Sequence, residues 1–257
     1  MFGKKGTAAI TDAAQRRINS LRIINDKTTF DVRESFNELR TNIVFSMPAK
    51  GTKKVLVTSS IASEGKSTTC LNMAITFAEA GTRTLLIDCD LRVPNVGKLI
   101  GDDEKKGLSN ILVSDCSVDE ALHHTQYKNL DVLLSGSIPP NPTELLASDA
   151  MSTLIDELSE KYDYILFDAP PVNVVSDAVI ISRLVSGVII VCRQYVADKK
   201  MLTATVEKLK FANTKILGIV LNDVSVTKTG YGKYGRYGKY GGYSYSRAAG
   251  DSEEVKA

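Results

Sequence analysis

The sequence predicts an α/β domain whose central sheet is mainly parallel, with helices on both faces. Three observations lead there. Short apolar runs recur along the chain with little alternation, as in strands buried on both sides. Stretches of helical periodicity separate those runs, which is the order of a layered βαβ arrangement. One strand leads through a short loop containing Gly65-Lys66-Ser67 into a helix. The chain has 257 residues, 43% of them hydrophobic, enough for one such domain with a large buried core.

Residues 1–29 read as a polar, flexible arm. Residues 31–46 read as a helix, with Phe36, Leu39, Ile43 and Val44 at helical spacing. Lys54 to Ser59 carries the strand VLVTS, and Ser60 to Lys66 is a loop. Ser67 to Ala80 is a helix expected to stop near Gly81. A second strand, Thr84 to Ile87, ends at Asp88. Between Leu91 and Leu158 short helices surround one apolar strand, Leu130 to Leu134. Tyr164 to Phe167 is a strand ending at Asp168. Residues 176–185 and 198–210 read as helices, and Val188–Val191 and Ile216–Leu221 as the last strands.

The domain is expected to span residues 30–223. Beyond it, residues 224–257 include GYGKYGRYGKYGGYSYS (Gly230 to Ser246), a tyrosine–glycine ladder without aliphatic residues. Such a segment cannot bury a core and reads as a flexible tail.

Composition removes several function classes. The formal net charge is +2, so nothing in the overall balance draws the chain to nucleic acid or an anionic membrane. The basic N-terminus is not followed by an apolar run, and no stretch approaches the roughly 20 residues that cross a bilayer. A cytoplasmic protein that reaches a membrane only through a partner is the expectation. Cys70, Cys89, Cys116 and Cys192 are scattered without a CxxC pair, and reduced thiols are the simplest reading. His123 and His124 are adjacent, so they diverge on either regular element and are read as surface or loop residues.

Parallel sheets bind ligands beyond the carboxyl ends of their strands. Three such ends carry the candidate chemistry. The loop SIASEGKS (Ser60 to Ser67) fits the phosphate-binding pattern GxxxxGK[ST], except that Ser60 replaces the first glycine. A strand before it and a helix after it let backbone N–H groups and the helix dipole face phosphate. This places the chain among P-loop NTPase folds. Ser60, Ala62, Ser63, Glu64, Gly65, Lys66, Ser67 and Thr68 are therefore the candidate ATP-binding residues. Lys66 would reach the β- and γ-phosphates, and the Ser67 hydroxyl would bind Mg²⁺. Asp88 and Asp90 follow one strand in LLIDCDLR and tend to face the same side. Asp168 closes YILFDAPP. Ser67, Asp88 and Asp168 are the candidate metal-linked residues, since hard oxygen donors suit Mg²⁺.

These segments resemble the bacterial tyrosine kinases of capsule and exopolysaccharide synthesis, in their stand-alone cytoplasmic form. LLIDCDLR looks like the family's second Walker motif and YILFDAPP like its Walker B motif. SGSIPPNPTELLAS (Ser135 to Ser148), ESFNELRTNI (Glu34 to Ile43) and the tyrosine tail also resemble family segments.

The resemblance implies ATP- and Mg²⁺-dependent transfer of phosphate to tyrosine, mainly between neighbouring subunits. Asp88 is then the expected base, with Asp90 positioning the acceptor or linked to the metal, and the exchanged assignment stays open. Arg92 would brace phosphate charge, or else form a structural ion pair. The acceptors would be Tyr231, Tyr234, Tyr237, Tyr240, Tyr243 and Tyr245. Glu34 and Arg40 would contribute to ring assembly, with Asn37 standing where the family carries another arginine. A membrane activator with a cytoplasmic segment and a cognate tyrosine phosphatase are the implied partners.

Two other classes compete. Partitioning or positioning ATPases share the fold but carry an additional early P-loop lysine, where this chain has Ile61, and lack a tyrosine ladder. A nucleotide-sensing scaffold is the third reading, and the complete lysine, serine and aspartate set argues against it. Ala62 and Ser63 stand where the kinases often carry Pro-Gly, so a positive φ at Ser63 is expected to strain the loop.

Overall fold

The computed structural model describes residues 22–102 and 105–224. Its centre is a seven-stranded sheet in the order β3-β4-β2-β5-β1-β6-β7. The strands are β1 (Lys53–Ser59), β2 (Thr84–Asp88), β3 (Leu122–His124), β4 (Leu130–Leu133), β5 (Tyr164–Asp168), β6 (Gly187–Arg193) and β7 (Ile216–Asn222). Every pairing is parallel except β3 with β4.

The helices are α1 (Phe30–Ser46), α2 (Lys66–Glu79), α3 (Val96–Ile100), α4 (Leu108–Leu112), α5 (Val118–Ala121), α6 (Pro142–Leu146), α7 (Asp149–Lys161), α8 (Asp177–Ile181) and α9 (Lys199–Phe211). Local sequence explains several of their starts. The Ser148 hydroxyl accepts the Met151 amide at the head of α7, and the Asp198 carboxylate accepts the Lys200 and Met201 amides at the head of α9. Pro142 begins α6, where a missing N–H costs nothing.

The apolar strands split by the two-residue period into two cores. Val55, Val57, Leu86, Leu166, Ile189 and Val191 join residues of α2, with Ile43 of α1, on one side. Leu56, Leu85, Ile87, Ile165, Phe167, Val188 and Ile190 join residues from α4 and α6–α9 on the other. Continuous apolar runs are required because each strand feeds both cores. Burial of such side chains contributes roughly 1.5–3 kcal/mol each relative to exposure.

The structure departs from the sequence reading in four places. The arm assigned to residues 1–29 is tied down over its last part. Ile23 and Ile24 are buried, and Asn72 of α2 bridges this segment, its Oδ1 accepting the Ile24 amide and its Nδ2 donating to the Arg22 carbonyl. Tyr127 Oη donates to the Ile24 carbonyl as well. A buried asparagine needs such partners, and an apolar Ile-Ile pair gains by covering it.

The second departure is β3, a three-residue antiparallel edge strand carrying both histidines. His123 Nδ1 lies 2.9 Å from Asp102 and His124 Nδ1 2.6 Å from Asp131. The helix expected over 176–185 is shorter, spanning Asp177–Ile181. Finally, β7 is an edge strand with part of its apolar surface exposed. Residues 1–21 and 225–257, including all six candidate acceptor tyrosines, lie outside the described residues.

Candidate active site

Parallel pairing in register brings the three candidate segments together. Asp88 lies opposite Asp168 on β2 and β5, and Val57 lies opposite Asp168 on β1. The loop after β1 therefore opens directly beside both acidic strand ends. Lys66 Nζ sits 3.1 Å from Asp90 Oδ2 and 3.4 Å from Asp168 Oδ1, and it donates to Ser67 Oγ at 3.3 Å. Asp88 is fixed behind them by backbone groups. Its Oδ1 accepts the Asp90 amide at 3.1 Å, and its Oδ2 accepts the Asn95 and Val96 amides at 3.2 and 3.1 Å. Asp90 Oδ1 accepts the Val93 amide at 3.0 Å, which curls the chain and holds Asp90 toward Lys66.

The electrostatics follow from the count of charges: three buried or nearly buried carboxylates face one ammonium. Burial would lower the proton affinity of Lys66, but Asp168 and Asp90 outweigh it and hold the ammonium well above its ordinary range. Burial and the Asp168 charge push the Asp88 carboxyl up to about 7, against the opposing Val96 amide and Lys66. Burial raises Asp168 too, with Lys66 opposing. The net excess of negative charge and the hard oxygen donors Ser67 Oγ and Asp168 fit Mg²⁺. Among the described residues, no three or more carboxylate, imidazole or thiol groups form a metal cage alone. Phosphate and water oxygens would complete the coordination, as Mg²⁺ prefers.

The loop itself is built in two layers. Ala62 and Ser63 form an exposed rim. Ser63 has φ 66°, so the left-handed conformation expected there is present without glycine. Beneath the rim, Ser60 and Glu64 are fully buried. Glu64 Oε2 accepts the Ser60 amide at 2.8 Å and the Ile61 amide at 2.9 Å. The Ser60 amide is therefore already taken, and the Glu64 carboxylate braces the loop from behind. The loop's remaining candidate amides begin at Ala62.

Arg92 takes the second of its two expected roles, the structural ion pair. Its Nε lies 2.9 Å from Asp177 Oδ2, and its Nη2 donates to Thr143 Oγ1, which donates in turn to Asp177 Oδ1. Asp177 is completely buried at the head of α8 and needs a countercharge, so Arg92 serves this ion pair. Arg40 turns inward, its Nη1 donating to the Thr76 carbonyl of α2, whereas Glu34 stays exposed beside Asn37.

Two site residues escaped sequence reasoning: Glu64 as a brace and Asn222 at the end of β7. Asn222 Nδ2 donates to the Glu64 carbonyl at 3.1 Å. The same rule that marked Asp88 and Asp168, a polar residue at the carboxyl end of an apolar strand, points to Asn222.

Comparison with known proteins places this geometry. A family model described as an AAA domain matches residues 52–219. A putative tyrosine-protein kinase, CapB of Staphylococcus aureus, is 36% identical over 205 residues, covering 80% of this chain and 90% of CapB. The tyrosine-protein kinase YwqD of Bacillus subtilis is 38% identical over 195 residues, covering 76% of this chain and 82% of YwqD. The chain belongs to the bacterial tyrosine-kinase family. Among solved structures, the chimerical protein CapA2B2 superposes on this kinase with a TM-score of 0.75 at 33% identity, covering 80% of this chain and 90% of the other. The Mg-ADP complex of the septum site-determining protein MinD from Pyrococcus horikoshii reaches 0.58 at 26% identity, covering 69% and 72%. The kinase therefore shares its sheet with the positioning ATPases. Among the described residues no helix of the kinase is long and apolar enough to cross a membrane.

Proposed function

We propose that this chain transfers the γ-phosphoryl group of ATP to tyrosine hydroxyls, including its own Tyr231, Tyr234, Tyr237, Tyr240, Tyr243 and Tyr245, in trans within an oligomer. The observation that carries the reading is the convergence of Lys66 on Asp90 and Asp168 at the mouth of the phosphate loop. Loop amides and Lys66 would hold the phosphates. Ser67 and Asp168, with Asp88 or Asp90 behind them, would hold Mg²⁺, which supplies charge neutralisation at the transferring group.

The acceptor arrives protonated, since a tyrosine hydroxyl has an ordinary pKa of about 10. Its oxygen forms a bond to the γ-phosphorus as the bond to the ADP oxygen breaks, and its proton passes to Asp88. A carboxyl whose proton affinity lies near neutrality suits that task. Asp90 keeps Lys66 aimed at the phosphates. Exchange of the two aspartate roles would appear as Asp90→Asn losing the pH dependence of the rate and Asp88→Asn retaining it.

By analogy with its relatives, the kinase would regulate capsular or extracellular polysaccharide synthesis or export from the cytoplasmic face of the membrane. The solved chimera of a related protein supports a membrane activator that supplies a short cytoplasmic segment. Glu34 and Arg40 remain candidates for subunit contacts in a ring, and a tyrosine phosphatase would reverse the modification.

The test is incubation with Mg-ATP, with and without the activator segment, followed by phosphotyrosine detection and measurement of released phosphate. The expected result is tail labelling that Lys66→Met lowers by about a hundredfold or more, the scale of a lost transition-state charge. Phosphate release without labelled protein would assign a positioning-type ATPase instead. Neither signal, with the activator present, would leave a nucleotide-binding scaffold.

A further inference from the structure

Four tyrosines lie among the described residues, and the fold accounts for three of them. Tyr127 Oη donates to the Ile24 carbonyl, and Tyr162 Oη donates to Asp131 Oδ2. The Tyr164 ring is buried and stacks on Phe77, with centroids 4.1 Å apart. Tyr195 is different. It is 88% exposed, and its hydroxyl has no hydrogen-bond partner among the described residues.

The backbone at Tyr195 is both strained and held. Its φ is 62°, in the left-handed region that bulky residues rarely adopt. The turn is closed around it: the Gln194 amide donates to the Asn222 carbonyl, and the Val196 and Ala197 amides donate to the Arg193 carbonyl. Glycine or asparagine would take that conformation with less strain. A ring so exposed gains little from packing in return. Strain kept without a structural return points to function.

The turn also lies on the catalytic side of the sheet. β6 runs parallel to β1, with Val191 opposite Ser59, so the chain leaves β6 at the rim where the phosphate loop begins. Basic residues flank the tyrosine: Arg193 precedes it, and exposed Lys199 and Lys200 follow. The acids nearby are engaged, Asp223 with Arg193 and Asp198 with the amides at the head of α9. Three candidate tail acceptors, Tyr234, Tyr237 and Tyr240, likewise each follow a lysine or arginine. Basic flanks suit a site in which three carboxylates face one ammonium.

We propose that Tyr195 is a phosphoacceptor on the folded domain, modified in trans by the active site of another copy of this chain. The assignment rests on the kinase reading above and adds an acceptor outside the tail. The turn presents Tyr195 as part of a folded surface, so it meets a site by encounter between copies. Its Oη forms the bond to the γ-phosphorus as the bond to the ADP oxygen breaks, and its proton passes to the carboxylate that serves the tail tyrosines. The product carries about −1.5 to −2 added charge at the rim.

The test uses a full-length ¹⁵N-labelled acceptor chain that carries Lys66→Met and phenylalanine in place of the six tail tyrosines. It is incubated with unlabelled wild-type chain, Mg-ATP and the activator segment, then digested with trypsin and read by mass spectrometry. Cleavage after Arg193 and after Lys199 isolates Tyr195 as the single tyrosine of Gln194–Lys199. The expected result is phosphate on that peptide of the labelled chain. Adding Tyr195→Phe to the acceptor should abolish its phosphotyrosine signal. Tyr195→Phe in the wild-type chain should melt with the parent, because the hydroxyl holds no partner.

An unmodified Gln194–Lys199 peptide, with the wild-type tail labelled in the same tube, would overturn the proposal. Equal labelling of Tyr127, Tyr162 and Tyr164 would overturn it in favour of indiscriminate modification of unfolded chain. A clear fall in the melting temperature of Tyr195→Phe would overturn it in favour of a structural hydroxyl. If the wild-type tail also stayed unlabelled, the kinase reading itself would fall and take this assignment with it, a result distinct from the other three.

Discussion

The strands beneath the nucleotide loop and the β7 edge of the sheet are similarly apolar in sequence, yet they are held very differently. On β1, β2 and β5 every residue of Val55–Ser59, Thr84–Asp88 and Tyr164–Asp168 is buried, with cores on both faces. On β7, Ile219 and Leu221 are 51% and 55% exposed, and one long edge of the strand has no neighbour in the sheet. Two clamped faces fix where a strand ends, so the carboxylates at those ends converge on Lys66 to within a hydrogen-bond distance. The edge strand contributes differently: only its last side chain, Asn222, reaches the loop. The comparison teaches that catalytic placement in this fold comes from the central strands, and that the edge adjusts what they place.

The largest expected effect separates the two regions by stability. Leu56→Ala removes a fully buried side chain between β5 and β6 and should cost about 2–5 kcal/mol, through lost transfer energy and the cavity left behind. Leu221→Ala on the exposed edge should change stability by no more than about 0.5 kcal/mol. Urea unfolding of the two variants against the parent chain makes the measurement. Comparable costs would break the contrast and show that the outer surface of β7 is covered in solution.

A smaller effect, tied to pH, should appear only in the central region. The folded state raises the Asp88 carboxyl from an ordinary 3.8 to about 7, because burial and Asp168 disfavour its charge. Protonated Asp88 therefore favours the folded state, fully so below the ordinary value, and that contribution is lost as pH rises through about 7. Asp88→Asn keeps the shape without the charge. In nucleotide-free protein, its melting temperature relative to the parent should climb between about pH 4 and pH 7 and level off above that. A constant difference across that range would mean that Asp88 is held as the anion throughout by its three backbone donors.

Much of the central region was legible because its information is local. Val55 to Ser59, followed by Gly65-Lys66-Ser67, states a strand, a phosphate loop and a helix in one stretch. Asp88 and Asp168 each close an apolar run. The helix read over 31–46 and the one read over 198–210 both appear within a residue or so. What escaped notice depended on distant partners. Glu64 looked like a loop residue facing nucleotide, and only the folded loop shows its carboxylate turned back to the Ser60 and Ile61 amides. Arg92 pairs with Asp177, 85 positions away, and no local pattern announces a buried carboxylate there. The strand Leu122–His124 is too short to show a period, and it exists because β4 offers it an edge. Ile23 and Ile24 looked like part of a polar arm, because their partners, buried Asn72 and half-buried Tyr127, come much later in the chain.

The smallest effect tests the loop rim, which lies between the two regions in character: exposed like the edge, yet conformationally fixed like the centre. Ser63 adopts φ 66°, a region that costs an ordinary L-residue roughly 1–2 kcal/mol. Ser63→Gly removes that cost but adds back about 0.5–1 kcal/mol of unfolded-state entropy. The net should be a stabilisation of a few tenths to about 1 kcal/mol, a rise of up to roughly 4 °C in melting temperature for a domain of this size. Ser63→Val should move the other way, since branching at Cβ makes the left-handed region harder to reach. The hydroxyl alone cannot produce that ordering, so Ser63→Ala should melt close to the parent. If all three variants melted together, the rim would be relaxed in solution, and the constraint on the loop would lie wholly with Glu64, Gly65 and Asn222 beneath it.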